Sequence, residues 1–158
     1  MQIHRATSEV AEDCIRILRT LPLWFGHEES LIGYAKAADR FPTFVCRIDG
    51  KVVAFLTIQE HFSQSWEVHC IAVQAAARGQ GLGRKLHTHV EGWLEGQGAR
   101  LLQVKTVAAE HPSPEYAQTR GFYTHLGYVP LEVFRELWGP EIPVLQLVKV
   151  LGVARNAA

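Results

Sequence analysis

The chain has 158 residues, of which 47% are hydrophobic and 20% charged, a length and composition that suit one domain with a stable core. Sixteen basic residues balance sixteen acidic residues, so the overall charge favours neither nucleic-acid binding nor attachment to a membrane surface. No apolar run approaches the roughly 20 residues of a membrane span, and no secretory signal pattern is present. We therefore expect a single domain over residues 1–158, located in the cytoplasm.

The first forty residues predict one strand and two helices. The strand covers residues 2–6. Ser8 is placed to cap a helix whose apolar residues recur on one face, and Pro22 ends that helix. A second, weaker helical pattern runs over Glu28–Ala38.

Three antiparallel strands are predicted next. Phe44–Ile48 and Lys51–Gln59 are rich in β-branched and aromatic residues, and Asp49-Gly50 between them is typical of a two-residue hairpin turn. Trp66–Val73 has the same strand-like character. The order of these segments indicates a meander of strands that follows the two helices.

The character of the sequence changes at the glycine-rich segment Arg78–Arg84. An amphipathic helix follows it as far as about Gln97, with Glu91 expected on the outward face. Leu101–Val107 is again strand-like. A strand, a turn, a helix and a strand form a βαβ unit, so we expect the two strands to be parallel.

The last part of the chain predicts a loop, a helix and two strands. The loop covers Ala108–Glu115, and the helix covers Tyr116–Leu126 and ends at Gly127. Tyr128–Val133 and Val144–Leu151 are predicted as a closing pair of strands. The predicted fold class is therefore α/β (α+β), a mixed sheet with helices on both faces.

The glycine-rich segment carries the clearest chemical signal in the chain. Gly79, Gly81 and Gly83 let the backbone approach a ligand closely. Because the turn opens into a helix, the first helical N–H groups lack internal partners and, with the helix dipole, favour a pyrophosphate there. Arg78 and Arg84 flank the turn and can add charge-assisted hydrogen bonds.

Two other phosphate-binding patterns do not match this segment. In the dinucleotide fingerprint G-x-G-x-x-G, the last glycine would fall on Arg84 or Leu86. The G-K-S/T string of a mononucleotide P-loop is absent from the sequence. The alternative to a phosphate site is that the three glycines serve only the geometry of the turn.

Three patterns, one of them within the glycine-rich segment, occur together in the chain at a defined order and spacing. They are Arg78-x-x-Gly81-x-Gly83, the preceding strand Glu67–Val73, and Phe122-Tyr123-x-x-Leu126-Gly127-Tyr128. They resemble the Q/R-x-x-G-x-G/A signature, the fourth strand and the late F-Y-x-x-L-G-F element of the GNAT superfamily of N-acetyltransferases. The resemblance covers almost the whole chain in element order. It implies a mixed, mostly antiparallel sheet of about six to seven strands, with a strand–loop–helix–strand unit that binds acyl-CoA.

The resemblance implies acetyl-coenzyme A as co-substrate. In this family two strands splay apart with the pantetheine arm between them, and the Ile71 N–H is the expected donor to the thioester carbonyl. The implied cofactor-binding residues are Ile71, Ala72, Val73, Arg78, Gly79, Gln80, Gly81, Leu82, Gly83 and Arg84. The implied acceptor is a small-molecule amine, a peptide N-terminus or a lysine, and homodimers are common in such families.

The resemblance also implies catalytic side chains. Glu67 matches the position of a glutamate base in several family members, and strand alternation places it on one face with His69, Ile71 and Val73. Either Glu67 or His69 can then take a proton from the amine. Tyr123 matches the family's tyrosine, whose phenol can protonate or hydrogen-bond the departing sulfur. The alternatives without a catalytic role are a solvated carboxylate at Glu67, a packed or hydrogen-bonded histidine at His69 and a core tyrosine at Tyr123.

Some residues depart from the family pattern or concern the acceptor. Tyr116 stands where many relatives have an asparagine that binds pantetheine, and Pro112-Ser113-Pro114 lengthens the loop before it. Trp24 and Phe25 are candidates for the acceptor side, with ordinary core packing as the alternative. The segment Phe134–Pro140 is a candidate for the opposite wall of the acceptor site.

Histidines and cysteines give no metal signal. The eight histidines show no metal-ligand spacing, so no metal is expected, and the three cysteines are expected as small buried residues.

Two functions other than that of an acetyltransferase are also consistent with the sequence. One is a non-catalytic acyl-CoA-binding module of the same fold, and the other is a nucleotide-dependent enzyme of a different fold.

Overall fold

The computed structural model describes residues 1–152, so residues 153–158 of the expected domain lie outside the described residues. Within residues 1–152 the chain forms a seven-stranded sheet with four α-helices. The strands are β1 (Gln2–Arg5), β2 (Thr43–Ile48), β3 (Lys51–Phe62), β4 (Ser65–Val73), β5 (Leu101–Val107), β6 (Val129–Phe134) and β7 (Val144–Val150). The helices are α1 (Ala11–Arg19), α2 (Glu28–Arg40), α3 (Leu82–Gly96) and α4 (Pro114–His125).

The strands lie in the order β1-β2-β3-β4-β5-β7-β6. Among these strands β4 and β5 form the single parallel pair, because α3 carries the chain back across the sheet between them. The other neighbouring strands are antiparallel. The predicted fold class is confirmed, including the βαβ unit around the glycine turn.

A hydrophobic cluster lies on each face of the sheet. The first is formed with α3 and α4 and contains Leu86 and Leu126, and the second is formed with α1 and α2 and contains Ile17 and Ala35. All three cysteines are buried and unpaired, as predicted, and burial raises the pKa of the Cys14 thiol to about 12. Every helix within residues 1–152 is too short or too polar to cross a membrane.

The start of α1 differs from the prediction. The predicted cap at Ser8 is wrong, since the helix begins at Ala11 and its N-cap is Val10. A carboxylate oxygen of Asp39, on α2, accepts hydrogen bonds from the amides of Val10 at 2.7 Å and of Ala11 at 3.2 Å. A tertiary contact therefore satisfies the free amides of the first turn and holds α1 against α2.

The start of α4 also differs, since it lies at Pro114 rather than Tyr116. Ser113 is the N-cap, and its hydroxyl accepts a hydrogen bond from the Tyr116 amide at 3.3 Å. Pro114 lies in the first turn of the helix, where a backbone N–H has no acceptor within the helix, so proline loses no hydrogen bond there. The segment Pro112-Ser113-Pro114 therefore starts a helix and does not extend the loop.

Glu91 on α3 is buried, so its predicted outward position is wrong. Its carboxylate Oε1 lies 2.5 Å from Lys149 Nζ on β7 and 3.0 Å from His87 Nδ1, and His87 Nε2 lies 2.6 Å from the Tyr128 hydroxyl. Burial raises the pKa of Glu91, but hydrogen bonds with His87 and Lys149 outweigh it and hold the pKa below its usual value. The helix can bury this charge because a cation from another strand pairs with it.

Candidate active site

The parallel strands β4 and β5 separate partway along their length. Their pairing stops at Val68 opposite Val104, although β4 continues to Val73 and β5 to Val107. A cavity of about 820 Å³ opens in this gap. It is lined by both strands, the glycine turn, α4 and the connection between α1 and α2.

Two backbone amides of β4 face this gap. The N–H of Gln74 donates to the carbonyl of Val53 on β3, and successive amides along a strand alternate in direction. The β3–β4 register is regular from Cys70 to the end of β4. The N–H groups of Ile71 and Val73 therefore point away from β3 and into the gap, where an extended ligand can pair with them.

His69 is the extra residue of a β-bulge. Thr57 and Ile58 are consecutive on β3, but their partners on β4 are Cys70 and Val68, so His69 between them has no partner in the register. A bulge bends the strand and redirects its side chains. The residues before and after His69 therefore do not follow one continuous alternation.

The predicted common face for Glu67, His69, Ile71 and Val73 is therefore wrong. Ile71 and Val73 pack against the cluster on the α3–α4 side. The His69 ring instead contacts Tyr34 of α2, with 5.5 Å between the ring centroids. Strand alternation holds on either side of the bulge but not across it.

The glycine turn between β4 and α3 has the backbone conformation that glycine permits. Gly79 and Gly81 have φ values of 80° and 75°, in the left-handed region that other residues rarely adopt. A Cβ atom at either position would meet no atom within 4 Å, so the turn faces open space. At Gly83 a Cβ atom would lie 3.4 Å from the ring of Phe122, so this glycine lets α3 and α4 pack closely.

The amides of residues 79–84 are available to a ligand. The N–H of Arg78 donates to Ala75 and that of Lys85 donates to Gly81, and within residues 1–152 no acceptor is bonded to the amides between them. The N-terminus of α3 and the side chain of Arg84 add positive charge at the cavity wall. A diphosphate fits these donors, and an extended pantetheine arm fits the open edge of β4.

Arg78 lies against Trp24, with its guanidinium carbon 4.3 Å from the ring centroid. The Trp24 indole N–H donates to the carbonyl of Glu115 at 3.2 Å and to the hydroxyl of Thr119 at 3.1 Å. The hydroxyl of Tyr116 donates to the Trp24 carbonyl at 3.0 Å. Trp24 thus joins the α1–α2 connection to α4 and to the glycine turn, and Tyr116 binds that connection.

Phe25 takes the other side of the cavity. Its ring meets Tyr34 nearly at right angles with 5.7 Å between centroids, and Tyr34 in turn meets His69. All three rings line the cavity. The two neighbouring aromatic residues that the sequence suggests for the acceptor therefore diverge, with Trp24 against Arg78 of the glycine turn and Phe25 against Tyr34 of α2.

His69 and Glu67 have different surroundings. His69 lines the cavity, and burial lowers its pKa below the usual value, with Glu67 opposing this effect and Arg40 adding to it. Glu67 lies outside the lining, with Oε1 2.7 Å from His61 Nε2 and Oε2 3.0 Å from Lys105 Nζ. Both oxygens of the carboxylate have partners, whereas the imidazole stands at the cavity wall.

Tyr123 lies on α4 at the inner wall of the cavity. It is 3% exposed, and its ring packs edge-on against Phe122 and Tyr128. Burial raises the pKa of its phenol well above the usual value, and Cys70 and Tyr34 add to this, so the phenol is protonated at neutral pH. Within residues 1–152 no hydrogen bond holds its hydroxyl, so the O–H can serve a ligand.

Most of the site residues that the sequence suggests border the same cavity, except Glu67 and Gln80. Tyr34, Lys105 and Thr119 also line it, although no motif marks them. The weak helical pattern of α2 gave no sign that Tyr34 would reach β4. Within residues 1–152 no three His, Cys, Asp or Glu side chains are grouped to hold a metal ion.

Solved structures share this fold over nearly their full length. A protein assigned to the GNAT acetyltransferases from Desulfovibrio desulfuricans is 17% identical with a TM-score of 0.84, covering 94% of this chain and 98% of that chain. The ribosomal-protein-alanine N-acetyltransferase from Brucella melitensis is 20% identical with a TM-score of 0.72, covering 96% and 100%. An aminoglycoside 6'-N-acetyltransferase complexed with coenzyme A is 17% identical with a TM-score of 0.75, covering 95% and 97%.

At these identities the solved structures establish the fold alone, and no curated protein sequence gives a significant match. Membership of a family rests on a different comparison. The model of the acetyltransferase (GNAT) family matches residues 10–128, which is most of the chain. The predicted family and enzyme class are confirmed: the chain belongs to the acetyltransferase (GNAT) family, and its co-substrate is acetyl-coenzyme A.

Proposed function

We propose that the chain is an N-acetyltransferase that moves an acetyl group from acetyl-CoA to a primary amine by direct attack in a ternary complex. The shared cavity carries this proposal, because the open edge of β4, the unpaired amide turn, His69 and Tyr123 all meet there. Direct transfer requires donor and acceptor to be bound together. A cavity of about 820 Å³ is of the size that holds such ligands.

The backbone performs the binding of the co-substrate. The amides of residues 79–84 and the guanidinium of Arg84 hold the diphosphate, and the amides of Ile71 and Val73 hold the extended arm. Bound acetyl-CoA supplies an activated acetyl thioester. The N–H of Ile71 donates to the thioester carbonyl oxygen, where a fixed donor lowers the barrier by about 3 kcal/mol.

His69 accepts the proton of the amine in this proposal. An amine arrives mostly as an ammonium near neutral pH, and its nitrogen can attack only after a proton leaves. Because burial lowers the pKa of His69, the imidazole is neutral and can accept that proton directly or through water. The new N–C bond then forms as the C–S bond breaks, with the bonding electron pair leaving on sulfur, and the nitrogen releases its second proton to water to give the neutral amide.

Tyr123 stabilises the departing sulfur. Tyr123 lies at the cavity wall, and its raised pKa keeps the proton on the phenol. Since that pKa lies above the ordinary value of about 8.5 for a thiol, Tyr123 acts as a hydrogen-bond donor and the thiolate takes its proton from solvent. Phe25, which packs against Tyr34, contacts the acceptor, whereas Trp24 supports the glycine turn.

A non-catalytic acyl-CoA-binding module is the second candidate. The observation that favours it is the pairing of Glu67 with His61 and Lys105, which removes one of the two expected bases from the cavity. The test is release of free CoA from acetyl-CoA with a panel of primary amines, measured with a thiol reagent. Amine-dependent release supports the acetyltransferase, whereas acetyl-CoA binding without release by any amine supports the binding module.

A further inference from the structure

We propose that the acceptor is an aromatic monoamine, a primary amine on a short chain that carries an aryl ring and no second positive charge. This proposal rests on the acetyltransferase function above and names its substrate class. It concerns the part of the cavity bounded by Phe25, Tyr34 and His69, and Trp138 from the β6–β7 connection, which lines the same cavity.

One wall of this part is a row of rings. Phe25 and Tyr34 meet at an interplanar angle of 84° and Tyr34 and His69 at 61°, so each ring presents an edge to the next. Phe41 contacts His69 as well, at 5.6 Å between centroids. Edge-on packing leaves ring faces that a further aromatic ring can contact favourably. An amine nitrogen at His69 therefore has its carbon skeleton along Tyr34 and Phe25.

Trp138 adds an apolar surface that the protein itself does not cover. It lines the cavity and yet is 43% exposed. Large apolar side chains exposed at a cavity are typical of ligand-binding surfaces. An aryl ring that reaches this indole inside the cavity would remove it from water. The adjacent Leu137 is 52% exposed but lies outside the lining, which makes it a matched control.

The charge of the lining disfavours polycationic acceptors. Within residues 1–152, the side chains of fixed charge that line the cavity are all basic, namely Arg78, Arg84 and Lys105. The carboxylate of Glu67 is 3.0 Å from Lys105 and is committed to it. A second ammonium would lose its hydration without gaining a carboxylate partner. A single ammonium is neutralised when His69 takes its proton.

The test compares four acceptors at saturating acetyl-CoA by release of the free thiol. They are 2-phenylethylamine, n-hexylamine, spermidine and a peptide with an N-terminal alanine. We expect kcat/KM for 2-phenylethylamine to exceed each of the others by about tenfold. A value for any of the other three that equals or exceeds it overturns the proposal.

A binding measurement separates this proposal from the proposed function. Calorimetry of the CoA-loaded protein should show tighter binding of 2-phenylethylamine than of n-hexylamine. If no amine is acetylated but this preference holds, the catalytic function fails and the aromatic acceptor pocket stands. Equal binding of the two amines overturns the pocket, whatever the turnover.

Variants locate the pocket on the molecule. Trp138→Ala should raise KM for 2-phenylethylamine by about tenfold and leave the CoA Kd unchanged, while Leu137→Ala changes neither. Ser30 is exposed at the cavity, so Ser30→Asp should increase kcat/KM for spermidine several-fold, and the neutral Ser30→Asn should not. An unchanged KM in Trp138→Ala, or equal effects of the two Ser30 variants, overturns the proposal.

Discussion

His69 is the residue of β4 without a partner on β3, and its imidazole lies at the cavity wall. Burial lowers its pKa, and Arg40 has the same effect, whereas Glu67 raises it. The neutral base therefore persists to a lower pH than in a solvated histidine. A regular strand would have put this side chain on the same face as Ile71 and Val73, as the alternation of the sequence predicts.

The pH dependence of the reaction distinguishes the two candidate bases. The neutral form of His69 is lost as pH falls through its lowered pKa, so the acidic limb of kcat/KM should lie below about 6.5. His69→Gln should remove this limb and lower kcat/KM by about 100-fold. Glu67→Gln should keep the limb and move it to lower pH, because Glu67 raises the pKa of His69. Loss of the limb in Glu67→Gln alone would transfer the role of base to Glu67.

Tyr123 gives a second prediction at the same scale. Tyr123→Phe keeps the ring that packs against Phe122 and Tyr128 but removes the O–H at the cavity. We expect kcat to fall by about 10- to 100-fold, with the Kd of acetyl-CoA unchanged. Single-turnover kinetics and calorimetry measure the two quantities. Equal turnover in the two proteins would remove Tyr123 from the chemistry.

Among the elements, α4 and the α1–α2 connection act together through Trp24. The indole N–H bonds Glu115 and Thr119, and the ring supports Arg78 of the glycine turn. Tyr116 completes the connection at the position where the family pattern has an asparagine. The departure at Tyr116 therefore has a structural role, since its hydroxyl holds the segment that carries both aromatic residues.

Removal of this hydroxyl tests the coupling. Tyr116→Phe should lower the free energy of unfolding by about 1 kcal/mol, the usual net value of a hydrogen bond. The CoA Kd should also rise by about two- to fivefold, because Trp24 positions Arg78 less firmly. Gln118→Ala, on the same helix and also at the cavity, is the control. A stability loss without any change in CoA affinity would show that the two elements are not coupled.

The sequence predicted the elements and the glycine turn because these depend on local patterns, such as apolar periodicity and positive φ at Gly79 and Gly81. It did not predict features that depend on distant residues. The Asp39 cap of α1 and the bulge at His69 both arise from contacts between separate elements. The alternation of residues along β4 does not reveal that one of them lacks a partner on β3.

The molecule as a whole is stabilised across the sheet by a buried ion pair. Glu91 on α3 and Lys149 on β7 lie on elements that the sequence separates widely, and the Glu91 side chain is 7% exposed. His87 bonds the Tyr128 hydroxyl, and the Tyr128 ring packs edge-on against Tyr123. This network holds α3, and with it the amide turn at its N-terminus, on the sheet.

The stability of the protein should therefore depend on Glu91 in a defined pH range. Glu91→Ala leaves Lys149 without this partner and should lower the free energy of unfolding by about 3 kcal/mol at pH 7. The folded-state pKa is lowered from 4.5, so the contribution is present above pH 4.5 and is lost as pH falls through the lower folded value. Calorimetric unfolding at pH 7 and pH 3 should show the difference shrinking. The same difference in the free energy of unfolding at both pH values would contradict a stabilising Glu91–Lys149 ion pair.

The amides of residues 79–84 remain the feature on which co-substrate binding depends. The most direct measurement is the CoA affinity of Gly81→Asp beside that of Gly81→Asn, by calorimetry. Both side chains tolerate the left-handed φ of 75° and enter the same open space, but only aspartate adds a negative charge against a diphosphate. We expect Gly81→Asp to abolish CoA binding and Gly81→Asn to retain part of it. Wild-type affinity in Gly81→Asp would contradict the binding of the diphosphate by the amides of residues 79–84.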